Sequence, residues 1–198
     1  MKYLALGDSY TIGEQVTSEE SFPAQLCRML QDQGIPATLS GVVAVTGWTT
    51  DELSAALAQK APALDHDWVS LLIGVNNQYR GRSVEEYHWQ FYSLLCQAIL
   101  FAGARPERVL VLSIPDWGLT PFNQSHDPQK VTEEINAFNA VNEAWCHKMG
   151  CVYFNITEST RKHARQKEFL TDDLLHYSPD EYAIWAGLLA QHILKSSL

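Results

Sequence analysis

The chain has 198 residues, 46 % of them hydrophobic and only 19 % charged, enough apolar side chain to bury a sizeable core as one domain spanning 1–198. Its formal net charge is −9 and the acidic residues are spread along the chain, which argues against nucleic acid as a partner. No apolar run approaches the roughly 20 residues of a membrane span, and Met1–Ser9 lacks the apolar core and small-residue cleavage site of a secretory leader, so a cytoplasmic location without membrane insertion is expected. Cys27, Cys96, Cys146 and Cys151 form no C-x-x-C pair and read as buried thiols.

In chain order, short runs of β-formers alternate with longer stretches of helical period, the pattern of a parallel sheet covered on both faces. Strands are predicted at Lys2–Leu6, Thr38–Val43, Trp68–Ile73, Arg108–Ile114 and Cys151–Asn155. Leu26 and Leu30 mark a helix ended by Gly34. After Gly47, Thr49 or Thr50 is placed to cap another, with Glu52 or Leu53 beyond. Ser83 opens a helix carrying Tyr87, Phe91, Leu94, Leu95 and Ile99, stopped at Gly103. Asp127-Pro128 opens a longer one, whose Val131, Ile135, Phe138, Val141, Trp145 and Met149 share a face before Gly150 stops it. Ser178-Pro179-Asp180-Glu181 reads as a capping box for the last helix. Right-handed crossovers make 2-1-3-4-5 the economical strand order, a three-layer α/β/α sandwich of flavodoxin-like topology.

In such sheets ligands bind beyond the strand C-termini, so the residues just past each strand carry the chemistry. They are Gly7-Asp8-Ser9-Tyr10, Thr46-Gly47-Trp48, Gly74-Val75-Asn76-Asn77 and, before the last helix, Asp173-Leu174-Leu175-His176. A serine hydroxyl needs a base to take its proton, and the base needs a third group to fix its tautomer. Asp173 lies close enough in sequence to reach Nδ1 of His176 and leave Nε2 for Ser9. The oxyanion formed on attack requires oriented donors, for which the N–H groups of Ser9 and Gly47 and the Asn76 amide are the candidates. Asp8 is expected to orient its turn.

These residues resemble the four blocks of the SGNH hydrolases, the GDSL-like esterases and lipases, in the family's order from Gly7 to His176. The resemblance implies Ser9 as nucleophile and oxyanion donor, Gly47 and Asn76 as the other donors, His176 as base and Asp173 as its partner. It also implies the same α/β/α fold. Two positions depart: Tyr10 follows the serine where the family name expects leucine, and Asn77 stands where aspartate is commoner. Both bear on substrate range more than on activity.

The expected reaction is hydrolysis of a small-molecule carboxylic ester, short-chain or acetyl, through an acyl-enzyme, with no cofactor and no metal. Trp48, Tyr79, Arg80 and Trp117 follow strand ends and are candidate pocket residues. The remaining histidines share no metal-ligand spacing. A phosphoesterase using Asp8, Asn76 and His176 around a metal is the rival chemistry, with Asp116 its one further carboxylate; a catalytically silent module binding acylated carbohydrate is the other rival.

Overall fold

In the computed structural model, which describes residues 1–196, five parallel strands lie in the order β2-β1-β3-β4-β5. They are β1 (Lys2–Gly7), β2 (Thr38–Ala44), β3 (Trp68–Leu72), β4 (Val109–Leu112) and β5 (Val152–Phe154). The three inner strands are buried along nearly their whole length, as their unbroken apolar runs require. The predicted fourth and fifth strands are shortened at both ends. Past Leu112 the Ser113 N–H still donates to the Phe154 carbonyl at 2.9 Å, while its hydroxyl accepts from the N–H groups of Ile156 and Thr157, which ties the ends of β4 and β5 into one turn.

Eight helices are described: α1 (Ser9–Ile12), α2 (Phe22–Asp32), α3 (Thr50–Lys60), α4 (Val75–Tyr79), α5 (Val84–Phe101), α6 (Pro128–Met149), α7 (Thr157–His163) and α8 (Pro179–Ser196). α2 packs on α8 along one face, while α3, α5 and α6 pack in sequence along the other. Three of the four starts predicted from capping residues follow that chemistry. Thr49 forms a full capping box with Glu52, Ser83 accepts from the Glu86 N–H, and Asp127 accepts from the Gln129 N–H. Gly150, at φ 77°, ends α6.

The last helix starts where expected but not through the expected box. Glu181 is fully buried and turns inward, one oxygen 2.6 Å from His163 Nδ1 and the other accepting from Trp185 Nε1 at 2.9 Å. The Ser178 hydroxyl donates instead to the Glu168 carbonyl. The arrangement locks α7 to α8, and His163 stacks on Phe169 at 3.8 Å between ring centres.

Trp185 sits at the centre of an aromatic cluster with Tyr10, Phe22, Tyr177 and Tyr182. That cluster joins α8 to the turn after β1. All four cysteines are free thiols, and burial pushes the Cys27 thiol up to about 11. Among the described residues no helix is long and apolar enough to cross a membrane.

Candidate active site

The ends of β1, β2 and β3 are level, Gly7 pairing with both Ala44 and Leu72, so the segments that follow them emerge side by side. A Cβ on Gly7 would stand 2.1 Å from Thr11 Oγ1 and 2.3 Å from the Leu72 carbonyl, so only glycine lets the turn lie this close to β3. Asp8 caps α1, its Oδ1 accepting from the Tyr10 N–H at 3.1 Å. Its other oxygen has no hydrogen-bond partner, and burial pushes the carboxyl up to about 7. Ser9 is the first residue of α1.

Two further segments face it. Gly47 has φ 83°, a conformation that favours glycine, and its carbonyl accepts from Arg80 Nη2 at 2.6 Å. In α4, one N–H of the Asn76 amide donates to the Trp48 carbonyl at 3.0 Å. That bond fixes the plane of the amide and leaves its second N–H unspent. Among the described residues, neither the Ser9 nor the Gly47 N–H is given to another group of the chain. These three N–H groups belong to residues that line one cavity.

Asp173 and His176 lie on the loop before α8. Asp173 Oδ2 is 2.6 Å from His176 Nδ1, while Oδ1 accepts from the Leu175 N–H, the His176 N–H and the Thr171 hydroxyl. Burial pushes the Asp173 carboxyl up, but these hydrogen bonds outweigh it and hold the group down at about 2. Leu174, at φ 60°, takes the left-handed conformation that closes the turn. A cavity of about 170 Å³ is lined by Ser9, Gly47, Asn76 and His176 together.

The sequence profile of the GDSL-like lipase/acylhydrolase family matches residues 5–184. The chain belongs to this family. Among solved structures it resembles a psychrotrophic esterase from Pseudoalteromonas sp. (15 % identity, TM-score 0.72, covering 98 % of this chain and 97 % of that one). It also resembles a lipase/acylhydrolase from Enterococcus faecalis (19 %, 0.72, 97 % and 94 %) and a variant of an acetyl xylan esterase from Geobacillus stearothermophilus (19 %, 0.70, 97 % and 94 %). No protein of curated function matches the sequence. As a family member the chain is a carboxylic ester hydrolase.

Of the four pocket residues expected in this GDSL-like hydrolase, Tyr79 and Trp117 line the cavity; Trp48 and Arg80 do not. Trp48 packs against the core and offers its carbonyl to Asn76. Arg80 braces Gly47 from outside and pairs with Glu52 at 3.4 Å. Asn77 is fully buried and joins the Gly47 and Asn76 segments, accepting from the Thr50 N–H at 3.0 Å and donating to its hydroxyl at 2.7 Å. The neutral amide can do both where a carboxylate could only accept, and the Thr50 hydroxyl passes its own proton on to Gln90.

Sequence reasoning missed Val75, Phe122 and Leu175 as cavity walls, and the bond from Thr46 to Glu14. An apolar Phe122 in an otherwise polar loop was the available signal. Asp116 is buried and committed: it accepts from Arg161 at 2.9 Å, from Thr132 at 2.7 Å and from the Gly118 N–H at 3.1 Å.

Proposed function

We propose that this chain is a serine esterase acting on short-chain or acetyl esters. Ser9 is the nucleophile, His176 the general base and Asp173 the group that holds its imidazole. His176 takes the Ser9 proton, the hydroxyl oxygen attacks the ester carbonyl, and the oxyanion rests on the N–H groups of Ser9 and Gly47 and the free N–H of Asn76. The same imidazole then gives its proton to the departing alcohol. Water repeats the sequence on the acyl-enzyme and releases the acid.

The observation that carries this reading is the joint lining of one cavity by Ser9, Gly47, Asn76 and His176, with His176 Nδ1 held at 2.6 Å by Asp173. That contact supports Nδ1 as the nitrogen facing the carboxylate, which leaves Nε2 for the serine. The small volume of the cavity supports a short acyl group. Resemblance to an acetyl xylan esterase makes acetylated sugars a substrate class to try first. The metal-dependent rival would draw on Asp116, which is already paired with Arg161.

The test is hydrolysis of p-nitrophenyl acetate by wild type and Ser9→Ala, with and without chelator. Chelator-resistant turnover that is lost in Ser9→Ala, with the thermal midpoint retained, is expected. Turnover that survives in Ser9→Ala would sink the mechanism.

A further inference from the structure

The cavity at Ser9 is one of three that meet at the same wall. Two neighbours, of about 310 and 290 Å³, lie beyond it, and Tyr79 and Trp117 are the residues that line all three. Their rings meet edge to face, with centres 5.1 Å apart. Trp117 is 2 % exposed, and its Nε1–H donates to Gln78 Oε1 at 2.7 Å. Gln78 is buried in turn, and its amide donates to Glu134 on α6 at 2.7 Å. Tyr79 is 50 % exposed and has only Trp117 and His126 as ring neighbours among the described residues. One panel of the wall is pinned through two hydrogen bonds, and the other leans against it.

We propose that the Tyr79–Trp117 pair sets the acyl length this enzyme accepts, by closing the Ser9 cavity off from its two neighbours. The proposal rests on the esterase reading above. The side of the cavity toward Thr46 and Gly47 is polar, whereas Val75, Tyr79, Trp117, Phe122 and Leu175 make the other side apolar. An alkyl chain gains by burial only against the apolar side, so the acyl group extends toward the wall. About 170 Å³ is close to the roughly 150 Å³ of an apolar cavity that holds benzene, enough for an acetyl or butyryl group. Beyond the indole, the neighbour edged by Pro121, Phe122 and Leu174 offers apolar surface to a longer chain, whereas the one edged by Asp127, Lys130 and Glu134 is charged.

Removing the indole joins the cavities. Each methylene that gains a buried site raises binding about fourfold, so two or more raise the preference for a long acyl group at least tenfold. The experiment measures kcat/KM of wild type, Trp117→Ala, Tyr79→Ala and Trp117→Phe on p-nitrophenyl acetate, butyrate and octanoate, with folding checked by circular dichroism. The octanoate-to-acetate ratio is expected to rise at least tenfold in Trp117→Ala and by a smaller factor in Tyr79→Ala. In Trp117→Phe, which keeps a ring in place, it stays near wild type.

An unchanged ratio in the folded alanine variants, or an equal fall on all three esters, would overturn the proposal. Because Tyr79 is half exposed, its variant keeps the test decisive if Trp117→Ala does not fold. Failure of the esterase reading shows differently: wild type and Ser9→Ala would then be equal on every ester, and the wall would fall with it.

Discussion

Two turns face each other across the cavity, and each is organised by an aspartate held in the opposite state to the other. Asp8 is buried, accepts one N–H, leaves an oxygen without a partner and is pushed up to about 7. Asp173 is partly exposed, has both oxygens bonded and is held at about 2. The difference follows their tasks. A carboxyl that caps a short turn needs only a lone pair and can be neutral, whereas one that holds an imidazolium, as proposed for Asp173, needs its charge, and the fold surrounds it with donors.

The largest expected effect breaks the charged side. Asp173→Asn keeps an acceptor for the turn's N–H groups but presents the wrong partner to Nδ1, so kcat should fall about a thousandfold or more. A loss under tenfold on p-nitrophenyl acetate would mean that His176 is oriented by something else. Asn76→Ala comes next: besides its bond to the Trp48 carbonyl it removes the N–H that the proposed mechanism uses only once the oxyanion forms, so kcat should fall by roughly a hundredfold with KM largely spared. A rise in KM at constant kcat would assign Asn76 to binding instead.

The neutral side is tested by pH. Asp8 has a folded value of about 7 against an ordinary carboxylate value of 3.8, so the folded state holds its proton longer than the unfolded chain does. Its contribution is favourable below about pH 4 and is lost as pH rises toward about 7, on the order of a few kcal/mol for a fully buried group. Asp173 acts in the reverse sense, adding stability above pH 4 that is lost as pH falls toward about 2. Asp8→Asn should therefore remove the decline between about pH 4 and 7 in denaturant midpoints while leaving the acid limb below it as it is. Parallel wild-type and variant curves over that range would show that Asp8 is ionised in the folded protein.

Much of the site was legible because its signals are local. Asp173 and His176 are three apart and close their own turn, and Gly7-Asp8-Ser9 follows a strand whose burial is plain from its composition. Strand order followed from the alternation of periods and the handedness of crossovers. What escaped was long-range. Glu181 stands where a capping glutamate belongs, yet it is drawn inward by His163 and Trp185, and that competition exists only once α7 and α8 pack together. Arg80 reads as a pocket residue from its neighbour Tyr79, but at the C-cap of α4 its guanidinium is spent on the Gly47 carbonyl while Tyr79 lines the cavity.

That misplaced arginine supplies the smallest expected effect. The turn of Asp173 is held within itself, whereas the Gly47 segment is held from a distance, by Arg80 at its carbonyl and by Asn77 at Thr50. Arg80 is partly exposed, so its bond to the Gly47 carbonyl contributes about 1.5 kcal/mol at most, which corresponds to about tenfold in rate if it acts entirely on the oxyanion. Arg80→Ala should lower kcat about three- to tenfold, leave KM for p-nitrophenyl acetate unchanged and move the thermal midpoint little. If kcat does not move, the Thr49–Glu52 capping box and the Asn77–Thr50 bonds suffice to aim the Gly47 N–H, and the second turn is as self-sufficient as the first.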